Sequence, residues 1–455
     1  MKKIVVKFGG SNLKSELDID RLINIIKSYN QPVVIVVSAF YGITNFLQEL
    51  IWKVRYDQGS LQAGLDFIRL MKKEALLKNV HKADSRNRIL KQLEKREHEL
   101  ERYLLGIHYI GDVPRYTEDL ILSYGERFSS LILMEVLREK GFHAEEKLPE
   151  ELVLRTIGVS GNAVVDFDRS RVSENISFDI ITVIPGFYGI SADNKVTLFG
   201  RGGSDYSAAA VARCIHADYL DIWKDVDGFM SGDPKLVSHA KNLDKLTYTE
   251  AAELAYFGAK ILHPRTVEPL SHLGIPIRVF DVSSAINLNE PRTLISDESR
   301  IHKTVIKSVT FSDDFGILQL EGPGVGMKPG ILAVVTGALD EAGINIKSVI
   351  TAQTSINILL SIQDLEPSAQ ITRNILPDVV SDLKTMDHLS LIAVVGQGIL
   401  ETPGVAARIF GAVSRKNINV RIISVGASPV AAYFIVEKEV RDEAVRTIHE
   451  EFFTS

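Results

Sequence analysis

A chain of 455 residues is too long for one ordinary core and points to about three domains. Its 24% charged and 45% hydrophobic residues are those of a globular protein and exclude large-scale disorder. The formal net charge of -6, with no Lys/Arg cluster interleaved with aromatics, argues against a nucleic-acid partner, and the lack of any apolar run long enough to span a bilayer argues against a membrane one.

The N-terminus runs directly into the β-branched Lys3-Ile4-Val5-Val6, read as a strand with no leader ahead of it. That strand ends on Lys7-Phe8-Gly9-Gly10-Ser11. Glycines without a Cβ let backbone N–H groups approach phosphate oxygens, and Lys7 adds a point charge. A surface lysine closing a strand would not explain two glycines following at once. Pro32 to Val37 reads as a second strand, and Ser38 and Thr44 flank the Gly42 loop after it. Each hydroxyl alone is a weak signal, because such groups at strand ends are most often caps. Phe46, Leu47, Leu50, Ile51 and Val54 recur at helical spacing and predict one covering helix. Between about Leu61 and Ile107, Lys, Arg, Glu and Leu dominate without strand pattern, which predicts an inserted helical hairpin with solvated charged faces. Glu126 follows Ser123-Tyr124-Gly125.

Ile180 to Ile184, Tyr219 to Trp223 and Ile275 to Val279 read as further strands, and their alternation with helical stretches argues for an α/β sheet buried on both faces. Between them lies a second glycine-rich loop, Gly200-Arg201-Gly202-Gly203-Ser204-Asp205. A helix starting at Ser204 would aim its positive N-terminus at an anion. Neither loop has the Walker A spacing, and the two together imply one polyphosphate site closed from both sides. The planar fork of Arg201 suits a carboxylate, so a small acidic substrate is expected. The helix dipole favours Asp205 at its position whatever its function.

Trp223-Lys224-Asp225-Val226-Asp227-Gly228 ends a strand, where open α/β sheets bind ligands. Asp225 reads as facing a nucleotide or its magnesium, and Asp227-Gly228 as an ordinary turn. Ser231-Gly232-Asp233-Pro234-Lys235 continues the loop. In Phe257-Gly258-Ala259-Lys260-Ile261-Leu262-His263-Pro264, Lys260 is ambiguous in isolation and His263 reads as a packing residue rather than a base. The single cysteine, Cys214, sits in an apolar helical stretch; it allows neither a disulfide framework nor a thiolate metal site and fits a reducing cytoplasm.

The last third holds an internal repeat with an offset of about 74 residues: Pro329-Gly330 recurs as Pro403-Gly404, Gly337 as Gly411, and Ile344-Asn345 as Ile418-Asn419. In each copy a proline is expected to open a helix, with stripes Leu332, Val335, Leu339 and Ala406, Ile409, Val413. Gly343 and Asn417 are the expected stops. Strand-like runs follow, Ile344 to Ile350 and Ile356 to Ile362 in one copy, Ile418 to Val425 and Ala431 to Val436 in the other. Each copy reads as a small β-α-β-β unit, and two such units pairing their sheets would leave a groove at the seam.

Taken together, these strings resemble the aspartokinases, amino-acid kinases with a C-terminal tandem of ACT regulatory domains. The resemblance covers nearly the whole chain and is carried by Lys7-Phe8-Gly9-Gly10, Gly42-Ile43-Thr44-Asn45, Gly200 to Asp205, Asp225-Val226-Asp227-Gly228, Asp233-Pro234 and Gly258 to Pro264. It implies an α/β fold: a three-layer αβα amino-acid kinase sandwich over 1–290 with a helical insertion at about 60–115, then two ferredoxin-like ACT domains at 300–380 and 385–455. The implied activity is transfer of the ATP γ-phosphoryl group to the β-carboxylate of L-aspartate, with Mg2+, at the head of lysine, threonine and methionine synthesis. By motif position Lys7 and Asp205 would be catalytic. Ser38, Thr44, Glu126, Arg201, Gly202, Gly203 and Ser204 would hold aspartate, and Lys7, Gly9, Gly10, Lys224, Asp225, Met230, Lys235, Lys260 and Ile261 the nucleotide. A carboxylate nucleophile needs no general base at neutral pH, so positioning and charge neutralisation suffice.

Some positions depart from the family pattern. Gly10-Ser11-Asn12 replaces a common Gly-Thr-Ser, Lys224 stands where threonine or serine is common, and Met230 where tyrosine is common, so adenine and ribose contacts are expected to differ. An acidic residue that follows the first ACT helix in lysine-sensitive relatives has Lys347 as its nearest counterpart, which would repel a lysine ammonium; the neutral amides Gln353 and Asn357 suit threonine as effector. The edge strands of ACT sheets imply a homodimer or larger homo-oligomer. The chain stops at Ser455, soon after the second repeat, which fits the monofunctional form. Two other readings compete: a silent amino-acid sensor, against which stand the retained charges Lys7, Glu126, Arg201 and Asp205, and a kinase of glutamate or N-acetylglutamate, against which stand the repeat and the Gly258 to Pro264 string.

Overall fold

The computed structural model describes residues 2–13, 16–259, 261–298, 305–375 and 380–454. The chain divides into two units, one holding the described parts of 1–229, 242–255 and 260–299, the other those of 230–241, 256–259 and 300–455.

In the first unit, β1 (Ile4–Phe8) leads through α1 (Glu16–Ser28) to β2 (Val34–Val37) and α2 (Ile43–Val54). The charged segment forms α3 (Gln58–Asn79) and α4 (Ala83–Ile110), and α5 (Arg115–Glu139) returns to β3 (Ala144–Glu146). Two small hairpins, β4 (Thr156–Ile157) with β5 (Val164–Val165) and β7 (Tyr188–Ile190) with β8 (Val196–Leu198), flank β6 (Ile181–Pro185). Then come α6 (Gly203–Cys214), β9 (Tyr219–Lys224), β10 (Lys245–Thr247), α7 (Tyr248–Tyr256), α8 (Glu268–Ser271), β11 (Ile277–Asp281) and β12 (Thr293–Ser296).

Eight strands make one sheet in the order β10-β12-β11-β9-β1-β2-β6-β3. Every neighbouring pair is parallel except β11 with β12. Residues of β1 and β2 are buried without alternation, as expected for strands covered by helices on both faces. The order reverses at β1, with β2 on one side and β9 on the other, and at such a switch point loops diverge and leave a crevice at the carboxyl ends of the strands.

The hairpin predicted between Leu61 and Ile107 is α3 and α4, with Ile89, Leu93, Leu100, Leu104 and Ile107 forming a buried stripe. Its charges are not all solvated, contrary to expectation. Glu97 is buried against Arg69, Arg88 reaches the buried Glu135, and Arg96 Nη2 lies 2.5 Å from Glu146 Oε2. The first pair joins α3 to α4 and the other two face α5 and β3, because helical spacing turns every third or fourth residue inward, charged or not.

The second unit holds two four-stranded antiparallel sheets, not one continuous sheet. The elements run β13 (Ser308–Ser312), β14 (Gly316–Glu321), α9 (Ile331–Glu341), β15 (Ile346–Thr351), β16 (Ser355–Leu360), α10 (Ile362–Ile375), β17 (Asp382–Met386), β18 (Leu389–Val395), α11 (Val405–Arg415), β19 (Ile422–Val425), β20 (Ala431–Glu437) and α12 (Arg441–Phe453). The sheet orders are β13-β18-β20-β19 and β15-β16-β14-β17. Thus β13, ahead of the first repeat, completes the sheet of the second, and β17 completes the sheet of the first. The first ACT sheet is thus nested within the second in chain order, each sheet taking an edge strand from outside the residues 300–380 or 385–455 expected for it.

Two details of the repeat also change. Pro329 and Pro403 precede the helices rather than opening them, because Gly330 and Gly404, at φ 93° and 84°, are the N-caps. The buried stripes consequently begin at Ile331 and Val405, while Leu332 and Ala406 are exposed. Gly343 and Asn417 do end the helices, with φ 71° and 55°.

Residues 230–241 pack with the second unit. Met230 O accepts from Ser308 Oγ at 2.8 Å, Ser231 O from Val309 N at 2.9 Å, and Ser231 Oγ lies 2.8 Å from His449 Nε2 on α12. Gly258 belongs to the same unit: with φ 122° it lies so close to Phe311 O that a Cβ there would fall 1.9 Å from it.

Candidate active site

The carboxyl ends of β1, β2 and β9 converge with the start of α6 and the middle of α5. Lys7 and Lys224 share one face of the sheet, since Lys7 pairs in register with Ile222 and side chains two apart on a strand point the same way. The helix α6 packs on β1 and β9 and brings Asp205 to both lysines. Lys7 Nζ lies 2.5 Å from Asp205 Oδ1 and Lys224 Nζ 3.2 Å from Asp205 Oδ2. Burial alone would raise the Asp205 carboxyl, but Lys224 and Lys7 together hold it well below the usual carboxylate range. Burial lowers the Lys7 ammonium, and Asp205 opposes that only in part.

The first glycine loop wraps this cluster. A Cβ on Gly10 would meet Ala39 O at 2.8 Å, so that place admits no larger residue without displacement, whereas one on Gly9 would stand in ordinary contact, 3.4 Å from Lys7 Nζ. The buried Asn12 donates from Nδ2 to Trp223 O at 2.7 Å, and Ser11 Oγ donates to Asp225 Oδ1 at 3.1 Å. These bonds tie the loop to the end of β9. The second loop starts α6 at Gly202, whose φ of 71° is left-handed and whose Cβ position lies 2.3 Å from His263 Cβ. His263 therefore packs under the loop, caps the turn that follows by accepting from Arg265 N, and is lowered by burial.

Glu126 is buried in α5 beside that turn. Ser204 Oγ donates to its Oε1 at 3.5 Å, and among the described residues its Oε2 has no hydrogen-bond partner. Burial pushes its carboxyl up to about 8. Ser38 follows β2, where its carbonyl accepts from Ser129 Oγ at 2.7 Å, and Thr44 lies in the first turn of α2 with Oγ1 3.8 Å from the Cβ position of Gly125. Gly203 is wedged between Phe187 and Phe199, and Arg201 is exposed on the turn.

Lys7, Gly9, Gly10, Ser38, Thr44, Glu126, Gly202, Gly203, Ser204, Asp205, Lys224 and Asp225 therefore surround one end of the sheet. Met230 and Lys235 lie in the second unit, Ile261 is half-buried just ahead of His263, and Lys260 falls outside the described residues. Of the effector candidates, Gln353 is exposed at the β15–β16 turn, whereas Asn357 is buried in β16 and accepts from Gln319 Nε2 at 2.9 Å.

Sequence reasoning missed a buried network beneath the site. Arg278 donates to both oxygens of the fully buried Asp221 at 2.6 Å, Tyr29 OH donates to Asp221 Oδ2 at 2.7 Å, and Trp223 Nε1 donates to Tyr29 OH at 3.0 Å. It locks β9 against β11 and fixes the strand that carries Lys224. The signal was present: a lone aspartate in Tyr219-Leu220-Asp221-Ile222 and a lone arginine in Ile277-Arg278-Val279, directly opposite in register.

Residues 2–281 match the amino acid kinase family, and 310–371 and 392–452 each match an ACT domain. Aspartokinase III of E. coli, solved with aspartate and ADP, superimposes with a TM-score of 0.83 at 27% identity, covering 99% of this chain and 100% of that one. The same enzyme with lysine and aspartate gives 0.80 at 27% identity, covering 100% of both chains. Among curated proteins, the chloroplastic bifunctional aspartokinase/homoserine dehydrogenase 1 of Arabidopsis thaliana is 30% identical over 99% of this chain and 51% of its own length. The chloroplastic aspartokinase 2 of the same plant is 28% identical over 99% of this chain and 84% of its own. The chain spans about half the length of the bifunctional relatives it matches.

Proposed function

Because the chain belongs to the amino acid kinase family and carries two ACT folds, we propose that it is an aspartate kinase, transferring the ATP γ-phosphoryl group to the β-carboxylate of L-aspartate to give 4-phospho-L-aspartate. The observation that carries this reading is the buried Lys7–Asp205–Lys224 cluster at the sheet's switch point, flanked by two glycine loops. The structural likeness to an enzyme solved with aspartate and ADP supports the choice of reactants.

The chemistry asks little of the protein beyond placement. The nucleotide phosphates lie along the Gly9-Gly10-Ser11 amides and meet the lysine charge, while Arg201 takes the α-carboxylate of aspartate. Glu126 takes its ammonium: a buried carboxyl with an open oxygen gains the most from a cationic partner, whose charge would return its proton affinity toward the ordinary range. The β-carboxylate then attacks as it stands, already ionised, and no general base is required. We assign Mg2+ to the nucleotide as part of the substrate, because magnesium keeps waters and phosphate oxygens as ligands and Asp205 is already engaged by two ammoniums.

The ACT folds would bind an amino acid that regulates the reaction. The neutral Gln353 and Asn357, with Lys347 nearby in sequence, favour a neutral side chain such as threonine's over lysine. A cytoplasmic homo-oligomer feeding lysine, threonine and methionine synthesis completes the reading, and among the described residues no helix is long and apolar enough to cross a membrane. Coupled release of ADP with aspartate, glutamate and N-acetylglutamate as acceptors tests it: turnover with aspartate is expected, and turnover with only another acid, or with none, refutes it.

A further inference from the structure

Lys224 is the residue whose position departs most from what the resemblance leads one to expect. A hydroxyl side chain is common there, and the expected surroundings were adenine and ribose. Its ammonium instead lies 3.2 Å from Asp205 Oδ2, with Lys7 on the other oxygen of the same carboxylate. The side chain is only 18% exposed, against 5% for Lys7 and 8% for Asp205.

A threonine or serine at this position would leave Lys7 and Asp205 as a neutral pair. The lysine adds one positive charge, so the cluster carries two ammoniums against one carboxylate. Two cations held this close out of bulk water repel one another, and Lys224 weakens the hold of Lys7 on its proton. Such an arrangement is costly unless an anion arrives to take up the excess. The register of β1 and β9 puts both ammoniums on the face that α6 covers, at the strand ends beside the Gly9-Gly10 loop.

We infer that Lys224 is a second catalytic cation, which with Lys7 straddles the transferring phosphoryl group while Asp205 holds the two ammoniums apart. The inference rests on the carboxylate-kinase reading but is not implied by it. In the step, a carboxylate oxygen of the acceptor forms the new P–O bond, the bond from the γ-phosphorus to the β–γ bridging oxygen breaks, and its electron pair leaves with ADP. No proton moves. Negative charge gathers on the bridging oxygen and on the three equatorial oxygens, and a fixed ammonium neutralises it without reorganising.

The test uses the full-length chain with Lys224→Thr, Lys224→Met and Lys224→Arg. Loss of one such preorganised donor lowers kcat by about 100-fold or more, so Lys224→Thr and Lys224→Met are expected to fall that far and Lys224→Arg to retain a tenth or more of wild-type turnover. Calorimetric binding of a non-hydrolysable ATP analogue is expected to change by less than about five-fold in all three, because the contact strengthens only as charge develops. Ethylammonium added to Lys224→Thr is expected to restore part of the rate, which a structural role would not allow. A kcat for Lys224→Thr within threefold of wild type, with any defect confined to KM for ATP, overturns the inference. Wild-type protein is assayed first on aspartate. If it uses only a different acid, the aspartate reading fails and the variants are compared on that acid; if it uses none, both fail.

Discussion

Lys7 Nζ and Asp205 Oδ1 stand 2.5 Å apart, one closing the first strand and the other in the first turn of α6. The pair is buried, and its two members are not equivalent. Removing Lys7 leaves Asp205 paired with Lys224, whereas removing Asp205 leaves two buried ammoniums facing each other. Lys7→Ala is therefore expected to lower turnover by about 100- to 1,000-fold with a small change in stability. Asp205→Ala is expected to lose turnover as well and to cost about 3–5 kcal/mol of folding free energy. Urea titrations of both variants beside their kcat values check the asymmetry.

Glu126 predicts a pH dependence. Burial raises its carboxyl from 4.5 to about 8, so the folded protein binds this proton more tightly than the unfolded chain does. Its contribution to stability is full below 4.5, declines as pH rises from 4.5 to 8, and is gone above that. Asp205 has the opposite sign: its carboxyl is depressed, so it stabilises above the ordinary carboxylate range and its contribution is lost on acidification. The two windows are separate. Glu126→Gln should remove the decline between neutral and weakly acid pH and leave acid unfolding in place. If Glu126 receives the substrate ammonium, aspartate binding below pH 8 also releases a proton, which calorimetry in buffers of different ionisation enthalpy detects and Glu126→Gln abolishes.

Two left-handed glycines separate backbone strain from crowding. Gly42, at φ 84°, caps α2 with nothing within 4 Å of its Cβ position. Gly202, at φ 71°, has His263 Cβ 2.3 Å from its own. Gly42→Ala is expected to cost about 1–2 kcal/mol, the left-handed penalty alone. Gly202→Ala should cost more and should also depress kcat, because relief of the clash moves the turn bearing Ser204 and Asp205. Equal effects in thermal unfolding and turnover would contradict this.

The nested ACT topology makes its own prediction. A fragment of residues 385–455 lacks β13, which pairs with β18 along Ser308 to Ser312, and should expose that edge and the apolar face under α12. Extending the fragment back through residue 305 is expected to restore a cooperative transition, measured by circular dichroism.

Much of this was legible in the sequence wherever the signal is local. The β-branched run ending on Lys7-Phe8-Gly9-Gly10, the α2 stripe and the left-handed stops at Gly343 and Asn417 follow from periodicity and glycine chemistry. What escaped depends on distant pairing. That Ser308–Ser312 serves the second ACT sheet is decided by partners some eighty residues away, which no local pattern encodes. The reach of Lys224 to Asp205 depends on strand register and on where α6 lands. Arg96 and Glu97 looked like a solvated face because a run of charges in sequence does not reveal which members the helix turns inward.

The central claim is that the Lys7–Asp205–Lys224 cluster drives phosphoryl transfer to the β-carboxylate of aspartate. Trapping the acyl phosphate with hydroxylamine, and identifying the hydroxamate by mass, tests it most directly. Wild-type protein with MgATP and aspartate should yield β-aspartyl hydroxamate, and Lys7→Ala almost none. No hydroxamate from wild-type protein, or an undiminished yield from Lys7→Ala, would contradict the account.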